Sequence, residues 1–206
     1  MGLEMTHQYA AATDVFARAD EVLGYSLSEI CFHGPREVLD ATEHSQPALL
    51  ACSVAALAVL RETDPILADS AEACAGLSLG EYTAMVHAGA LSFEDGLKIV
   101  RERGLAMQAA ADAQPSGMVS ILGLGEEEVE RLCDEARQPG EILQIANRLC
   151  PGNIAISGHR ASCDKAAEMA ESLGAMRAVP LAVAGAFHTD IMKPAEQRLA
   201  GFMMSV

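Results

Sequence analysis

Lysine and arginine are scarce in this sequence, where 14 of them stand against 29 aspartates and glutamates among 206 residues. The formal net charge is therefore −15. An acidic chain without a run of basic residues is repelled by polyphosphates and by anionic lipid surfaces. This balance of charge argues against a nucleic acid and against a membrane as a partner.

Long apolar segments are also missing. The longest strongly apolar stretch, ALLACSVAALAVL from Ala48 to Leu60, has 13 residues, whereas a helix needs about 20 to cross a bilayer. We expect a buried helix there instead. The first ten residues, MGLEMTHQYA, contain no apolar region of the kind found in secretory signals, so the expected location is the cytoplasm.

Metal-binding and disulfide patterns are absent from the six cysteines and six histidines. No C-x-x-C and no H-E-x-x-H occurs, and His159 and Cys163 form a lone pair without two further ligands. In a chain without a secretory signal, scattered cysteines indicate reduced thiols that are mostly buried. We therefore expect neither a disulfide nor a metal site.

Hydrophobic residues make up 50% of the chain, which is enough for one substantial core. Apolar residues recur at helical spacing from Phe16 to Leu23, and Gly24 stands where a left-handed cap would end that helix. A second helix is predicted over residues 47–62, with a proline in its first turn. A capping box at residues 92–95 predicts the start of another.

Between residues 116 and 184 the pattern changes to strand, helix, strand, strand, helix and strand. The predicted strands are MVSILGL, EILQIAN, NIAISG and AMRAVPLAV, and the helices between them are EEEVERLCDEA and ASCDKAAEMAESLG. This order is that of a ferredoxin-like subdomain. The flanking residues 1–115 and 185–206 are assigned to a larger subdomain, in which a strand, a sharp turn and two helices follow one another around Ser78.

The stretch CAGLSLGEYTAM raises a chemical question, because Gly76, Ser78 and Gly80 form the pattern G-x-S-x-G. Glycines allow a strand to turn sharply into a helix and to present the serine as a nucleophile. The backbone N–H of Leu79, at the start of that helix, would then be placed to donate a hydrogen bond to an oxyanion. A serine in a purely structural tight turn fits the same five residues.

A serine nucleophile requires a base. His188 in GAFHTDIM is the strongest candidate, because it lies between a predicted strand end and a helix start, where active-site side chains gather in α/β sheets. His87, on the helix after the turn, and His159, in a turn of the small subdomain, fit structural roles better. The residues alone leave a structural role open for His188 as well.

Three longer segments carry a family resemblance. GLSLGEYTAMVHAGALSFEDGLKIVRERGLAMQ, PGNIAISG and GAFHTDIMKPA resemble, in matching order, the malonyl-CoA:acyl carrier protein transacylase family of fatty-acid synthesis and the related acyltransferase domains of polyketide synthases. The resemblance covers nearly the whole chain. It implies an α/β fold, with a hydrolase-like parallel-sheet large subdomain and an inserted ferredoxin-like small subdomain. It also implies transfer of a malonyl group from malonyl-CoA to the phosphopantetheine thiol of acyl carrier protein, without a cofactor.

The resemblance assigns roles to individual residues. Ser78 is implied as the acylated nucleophile, His188 as its general base, and Arg103 as the residue that binds the malonyl carboxylate. A planar guanidinium suits that role because it can hold a carboxylate through two parallel hydrogen bonds. Phe187 belongs to a segment similar to the malonyl-selecting H-A-F-H form of polyketide acyltransferases, which implies that it excludes branched acyl groups. Asn147 is implied to line the site.

Plainer roles remain for two of these residues. Arg103 would be a helix-surface arginine if it paired with Glu102 or Glu94, while Arg101 should face elsewhere. Phe187 equally suits a position in an ordinary core.

The sequence also departs from the family pattern. Leu77 stands where the family has the histidine of G-H-S-x-G, and Leu149 where it has the second asparagine of N-x-N-S-P-G.

The resemblance further implies an N-terminal strand with an oxyanion loop and a C-terminal segment that the 206 residues do not contain. We therefore expect weak or absent transacylase activity and a chain that is poorly soluble or depends on a partner. The alternatives are an inactive shortened acyltransferase that binds acyl carrier protein, and a serine esterase, which usually has an acid between serine and histidine.

Overall fold

The computed structural model describes all 206 residues, which form two compact units. The first unit comprises Met1–Leu105 and Gly201–Val206, and the second comprises Ala106–Ala200. The first unit is helical. Its helices are α1 (Leu3–Gln8), α2 (Ala10–Leu23), α3 (Leu27–His33), α4 (Arg36–Asp40), α5 (Thr42–Thr63), α6 (Pro65–Asp69), α7 (Gly80–His87) and α8 (Phe93–Ala113), the last of which continues into the second unit.

Two predicted helix ends are confirmed in atomic detail. Gly24 ends α2 with a left-handed φ of 72°, and its N–H donates to the carbonyl oxygen of Asp20 at 3.0 Å. At the start of α8, the hydroxyl oxygen of Ser92 accepts the N–H of Asp95 at 3.0 Å. These caps satisfy backbone groups that would otherwise lack a partner at the helix ends.

The core of the first unit is built by apolar faces of α2, α5 and α8. Phe16, Leu50, Leu97 and Val100 are fully buried in it. The ring of Phe16 also packs edge-to-face against Phe32, with 4.9 Å between the ring centroids. This packing holds α5 and α8, the two helices that carry part of the candidate site.

Helix α5 is longer than the predicted span of residues 47–62. It begins at Thr42, so Pro47 lies inside the helix and not in its first turn. The additional turn is held because Thr42 and Gln46 are both buried against the rest of the unit. Packing therefore extends the helix past a proline that local sequence rules place near its start.

The full length of α5 bears on the expectation that the apolar stretch from Ala48 to Leu60 is too short to cross a bilayer. It has 22 residues, and an 18-residue window within it has a mean hydropathy of 1.2, which makes it the one helix of the structure that is long and apolar enough to cross a membrane. Core helices of soluble proteins meet the same criterion. The predicted burial holds for one face, where Leu50, Ala51 and Ala55 have no exposed surface.

No strand precedes Ser78. The sequence predicts a strand before the turn, yet residues 71–77 have no regular secondary structure, and the first unit contains no strand at all. A strand needs a neighbour for its backbone hydrogen bonds, and this unit offers none. The α/β class is confirmed, but the parallel sheet that the resemblance implies is not formed by these residues.

The second unit contains the only sheet. Its elements are β1 (Ser116–Leu122), α9 (Glu126–Ala136), β2 (Leu143–Cys150), β3 (Asn153–His159), α10 (Arg160–Ala170), β4 (Arg177–Pro180) and α11 (Lys193–Met203), the last of which ends in the first unit. The strand order is β2-β3-β1-β4, and every neighbouring pair is antiparallel. The predicted ferredoxin-like subdomain is confirmed.

Cross-strand pairing explains why this sheet forms. Val119 lies opposite Ile156 and Ile121 opposite Ile154, and these four side chains belong to one buried cluster with the apolar faces of α9 and α10. The predicted subdomain boundaries at residues 116 and 184 enclose the sheet and both helices, whereas the compact unit also takes in the end of α8 and most of α11. The division at 116 and 184 stays a prediction.

All six cysteines are free thiols, but only Cys31, Cys133 and Cys163 are buried, which is fewer than expected. Burial raises the pKa of Cys31 and of Cys163 to about 11, and that of Cys133 to about 12. A thiol with so high a pKa is protonated at neutral pH and is a poor nucleophile. Cys74, four residues before Ser78, is exposed.

Candidate active site

Ser78 lies in a strained turn that leads into α7. Its φ of 53° is in the left-handed region that non-glycine residues rarely adopt. Gly76 makes the turn possible, because a Cβ atom at that position would lie 1.9 Å from the backbone carbon of Gly80. A Cβ atom at Gly80 would meet nothing within 4 Å. The sequence prediction is therefore right in requiring a glycine at 76, whereas nothing in this structure requires one at 80.

The turn leaves a backbone donor beside the serine. Gly80 N–H donates to the carbonyl oxygen of Leu77 at 2.9 Å, and Tyr82 N–H donates to that of Leu79 at 3.0 Å. The N–H of Leu79 is not among the donors that bond within the turn. The first amides of a helix have no carbonyl partner in the preceding turn. The N–H of Leu79 is one of these amides, and it is also the group that the sequence predicts as the oxyanion donor.

Arg103 reaches the serine from α8. Its Nη2 donates a hydrogen bond to Ser78 Oγ at 2.9 Å, and its Nη1 donates to Gln46 Oε1 at 2.6 Å. The guanidinium carbon also lies 5.7 Å from the centroid of the Tyr82 ring. The structure thus brings together Ser78 and Arg103, which stand 25 residues apart in the sequence.

The guanidinium of Arg103 is not paired with a carboxylate. Among the ion pairs of the structure, Glu94 binds Arg18 at 2.5 Å, and Arg103 takes part in none. Arg101 faces elsewhere, as predicted, and lies over the ring of Tyr25. Burial lowers the pKa of Arg103, and the nearby Tyr82 and Glu81 act in the opposite direction. An arginine keeps its charge at neutral pH even so.

Gln46 is the site residue that the sequence does not reveal. It is 6% exposed and stands 57 residues before Arg103. Helices α5 and α8 come close at this point because Gly104 has no side chain. A Cβ atom there would lie 2.5 Å from the carbonyl oxygen of Thr42. Gln46 directly follows four other polar residues at the start of α5, so no feature of the sequence sets it apart from them.

His188 belongs to the second unit. It is exposed, and its φ of 62° makes it, with Ser78, one of the two non-glycine residues of the structure with a positive φ. Neighbouring hydrogen bonds hold this conformation. Ala186 N–H donates to Ser116 Oγ at 3.1 Å, Thr189 Oγ1 donates to the Ala186 carbonyl at 2.8 Å, and Gln144 Nε2 donates to the His188 carbonyl at 3.3 Å.

The other predicted binding residues also lie in the second unit. Phe187 is half-buried and packs against the cluster that contains Ala186 and Ile191, so an ordinary core role remains open for it. Asn147 is half-buried on β2, beside a break in the pairing register with β3. No group of three or more histidine, cysteine, aspartate or glutamate side chains is placed to hold a metal ion.

The two rival histidines have structural partners. Nδ1 of His159 accepts the N–H of Ile142 at 2.8 Å, and Nδ1 of His87 lies 3.4 Å from Nη2 of Arg61. Of the two departures from the family pattern, Leu77 is 60% exposed and Leu149 is 45% exposed. Neither leucine therefore fills a core position.

The chain thus combines a glycine-flanked serine turn with a ferredoxin-like sheet. The chain belongs to the acyl transferase domain family, whose model matches residues 1–205.

Named relatives refine this assignment. The malonyl CoA-acyl carrier protein transacylase of Bacillus subtilis is 43% identical over 199 residues, which cover 97% of this chain and 62% of that protein. The solved structure of the malonyl CoA-acyl carrier protein transacylase of Coxiella burnetii superposes with a TM-score of 0.92 at 37% identity, covering 100% of this chain and 64% of that one.

A third relative was solved as a complex. It is a malonyl-transacylase bound to its type II polyketide synthase acyl carrier protein, with a TM-score of 0.89 and 37% identity over 96% of this chain and 63% of that one. The chain thus spans less than two thirds of the length of the relatives that it matches.

Proposed function

We propose that this chain carries the acyl-transferring serine of a malonyl-CoA:acyl carrier protein transacylase in fatty-acid synthesis. In the proposed reaction, Ser78 Oγ attacks the thioester carbonyl of malonyl-CoA, coenzyme A leaves as a thiol, and a malonyl-serine ester remains. The phosphopantetheine thiol of acyl carrier protein then takes the malonyl group by the same steps in reverse. The names of the relatives support this reaction, which requires no cofactor.

One observation carries the proposal, namely the 2.9 Å hydrogen bond from Arg103 Nη2 to Ser78 Oγ. A cation beside the nucleophile, with no carboxylate of its own to pair with, favours an acyl group that brings a negative charge. Malonyl has such a carboxylate and acetyl does not. A guanidinium that already reaches the serine oxygen lies close enough to bind the carboxylate of a malonyl group on that serine.

The remaining roles follow from the chemistry of the reaction. His188 is proposed to take the proton of Ser78 during attack and to return it to the leaving thiol. Its positive φ, shared only with Ser78 among non-glycine residues, supports this role, because backbone strain of this kind is concentrated at functional sites. The N–H of Leu79 is proposed to donate to the oxyanion of the tetrahedral intermediate.

The proposal also includes the surroundings of the reaction. Phe187 is proposed to limit space beside the acyl group, and Asn147 to contribute a polar group to the substrate site. Acyl carrier protein and malonyl-CoA are the proposed partners, and the cytoplasm is the proposed location. No metal takes part in the proposed chemistry.

Intact-mass analysis of the chain after incubation with malonyl-CoA tests the proposal directly. Covalent gain of one malonyl group, followed by its transfer to added acyl carrier protein in its phosphopantetheine form, is the expected result. A serine esterase would instead hydrolyse simple esters faster than it transfers malonyl. Binding of acyl carrier protein without any acylation would identify an inactive domain and contradict the proposal.

Replacing Arg103 by alanine should weaken malonyl transfer selectively. Each charge-assisted hydrogen bond contributes roughly 1.5–3 kcal/mol, so we expect acylation by malonyl-CoA to slow by about 10- to 150-fold. Acylation by acetyl-CoA should stay unchanged or become faster, since acetyl has no carboxylate to lose. Initial rates by mass spectrometry measure both. Arg101→Ala is the matched control, and equal losses for the two acyl groups would make Arg103 structural.

Replacing His188 by alanine should slow acylation without removing the attachment site. General-base catalysis contributes roughly 10²- to 10⁴-fold to a rate, and the hydroxyl of Ser78 remains present in the variant. The adduct should therefore form slowly and still map to Ser78. His87→Ala is the control, because His87 lies beside Arg61 instead. An unchanged acylation rate for His188→Ala would mean that another group acts as the base.

A further inference from the structure

Arg103 is held in place by an uncharged partner. Thr42 and Gln46 are the two polar residues of the first unit that are buried, and the amide oxygen of Gln46 accepts a hydrogen bond from Arg103 Nη1 at 2.6 Å. Nη2 of the same guanidinium donates to Ser78 Oγ. Hydrogen bonds at both amino groups leave the planar guanidinium little freedom to rotate.

The neutrality of Gln46 has an electrostatic consequence. A carboxylate is the usual partner of a buried arginine, and it would cancel the charge that it positions. An amide oxygen accepts the same hydrogen bond without contributing a negative charge. The other close neighbour, the ring of Tyr82, is also uncharged, at 5.7 Å. The arginine is therefore held by uncharged groups, and no carboxylate lies within ion-pair distance of it.

The position of Gln46 depends on a particular helix contact. Gly104 follows Arg103 directly, and a Cβ atom there would lie 2.5 Å from the carbonyl oxygen of Thr42. The backbones of α5 and α8 can approach only because this side chain is absent. Gln46 lies one helical turn after Thr42, so the contact that Gly104 permits is the one that brings Gln46 to Arg103.

We infer that Gln46 is a positioning residue that orients Arg103 toward a substrate carboxylate and, being uncharged, preserves the preference of the site for malonyl over acetyl groups. This inference rests on the proposed function, in which Arg103 binds the malonyl carboxylate. Gln46 acts through Arg103 and needs no contact with the reacting atoms.

The substitution Gln46→Glu separates charge from shape. Glutamate keeps the length of the side chain and the acceptor that Arg103 Nη1 uses, so the variant should stay folded, with an ion pair in place of the neutral hydrogen bond. The probes are malonyl-carba(dethia)-CoA and acetyl-carba(dethia)-CoA, in which a methylene group replaces the thioester sulfur and prevents acylation. Isothermal titration should show a preference of the unmodified chain for the malonyl probe that falls by about tenfold or more in Gln46→Glu.

Two further variants control for charge and for folding. Gln8→Glu adds the same negative charge at an exposed position of α1, and it should keep the malonyl preference. Gln46→Ala removes the hydrogen bond without adding charge, and it should weaken binding of the malonyl probe more than that of the acetyl probe. A purely structural role would instead lower the melting temperature and weaken both probes equally.

The outcomes are distinct. An unchanged preference in Gln46→Glu, an equal loss for both probes, or no malonyl preference in the unmodified chain would each overturn the inference. The proposed acyl transfer fails separately, if the unmodified chain binds the malonyl probe preferentially but malonyl-CoA leaves no adduct on Ser78. The result for Gln46 would then stand as a property of a carboxylate-binding site.

Discussion

A chain carrying Ser78→Ala should gain no malonyl group from malonyl-CoA, whereas the unmodified chain should gain one. No adduct should form because the substitution removes Ser78 Oγ, the only atom to which the proposed ester can be attached. The turn itself should persist, since alanine and serine are strained to a similar degree at a φ of 53°. Intact-mass analysis, followed by peptide mapping of the unmodified chain, measures the effect.

Cys74 is the necessary control for this experiment. It is exposed and stands four residues before Ser78, so it is the thiol best placed to take an acyl group by direct exchange with the thioester. Cys74→Ser should retain the adduct. An adduct that survives in Ser78→Ala and disappears in Cys74→Ser would place the chemistry on the cysteine and contradict the proposed mechanism.

The substitution Gly76→Ala should destroy the turn that presents Ser78. Its Cβ atom would lie 1.9 Å from the backbone carbon and 2.1 Å from the carbonyl oxygen of Gly80, and neither atom belongs to a flexible side chain that can move aside. We expect a destabilisation of at least about 3 kcal/mol, at the upper end for overpacked sites. For a chain of this length, that lowers the melting temperature by roughly 6–12 °C. Acylation of Ser78 should be lost as well.

Gly80→Ala is the matched control, with the same added methyl group four residues later. No atom lies within 4 Å of its Cβ position, and alanine is favoured over glycine in a helix by about 0.5–1 kcal/mol. The melting temperature should therefore stay the same or rise slightly, and the adduct should still form. Equal destabilisation by the two substitutions would show that the turn is not held by the close contact at Gly76.

Much of the local structure could be predicted because its causes are local. The capping box at Ser92 and the glycine cap at Gly24 depend on residues within a few positions of each other, and both are found as expected. The ferredoxin-like sheet follows from alternating strands and helices of typical length and composition. The strand predicted before Ser78 is absent for the opposite reason, since a strand depends on a partner that the neighbouring residues cannot supply.

The candidate site shows the same division. Sequence alone determined the identity of the candidate nucleophile, because Gly76 and Ser78 specify a strained turn through their immediate neighbours, and the family resemblance singled out Arg103. Only the tertiary structure decided that Arg103 donates to Ser78 and is held by the neutral amide of Gln46. The physical reason is that these contacts join residues 25 and 57 positions apart, and their distances depend on how closely α5 and α8 pack, which no local pattern records.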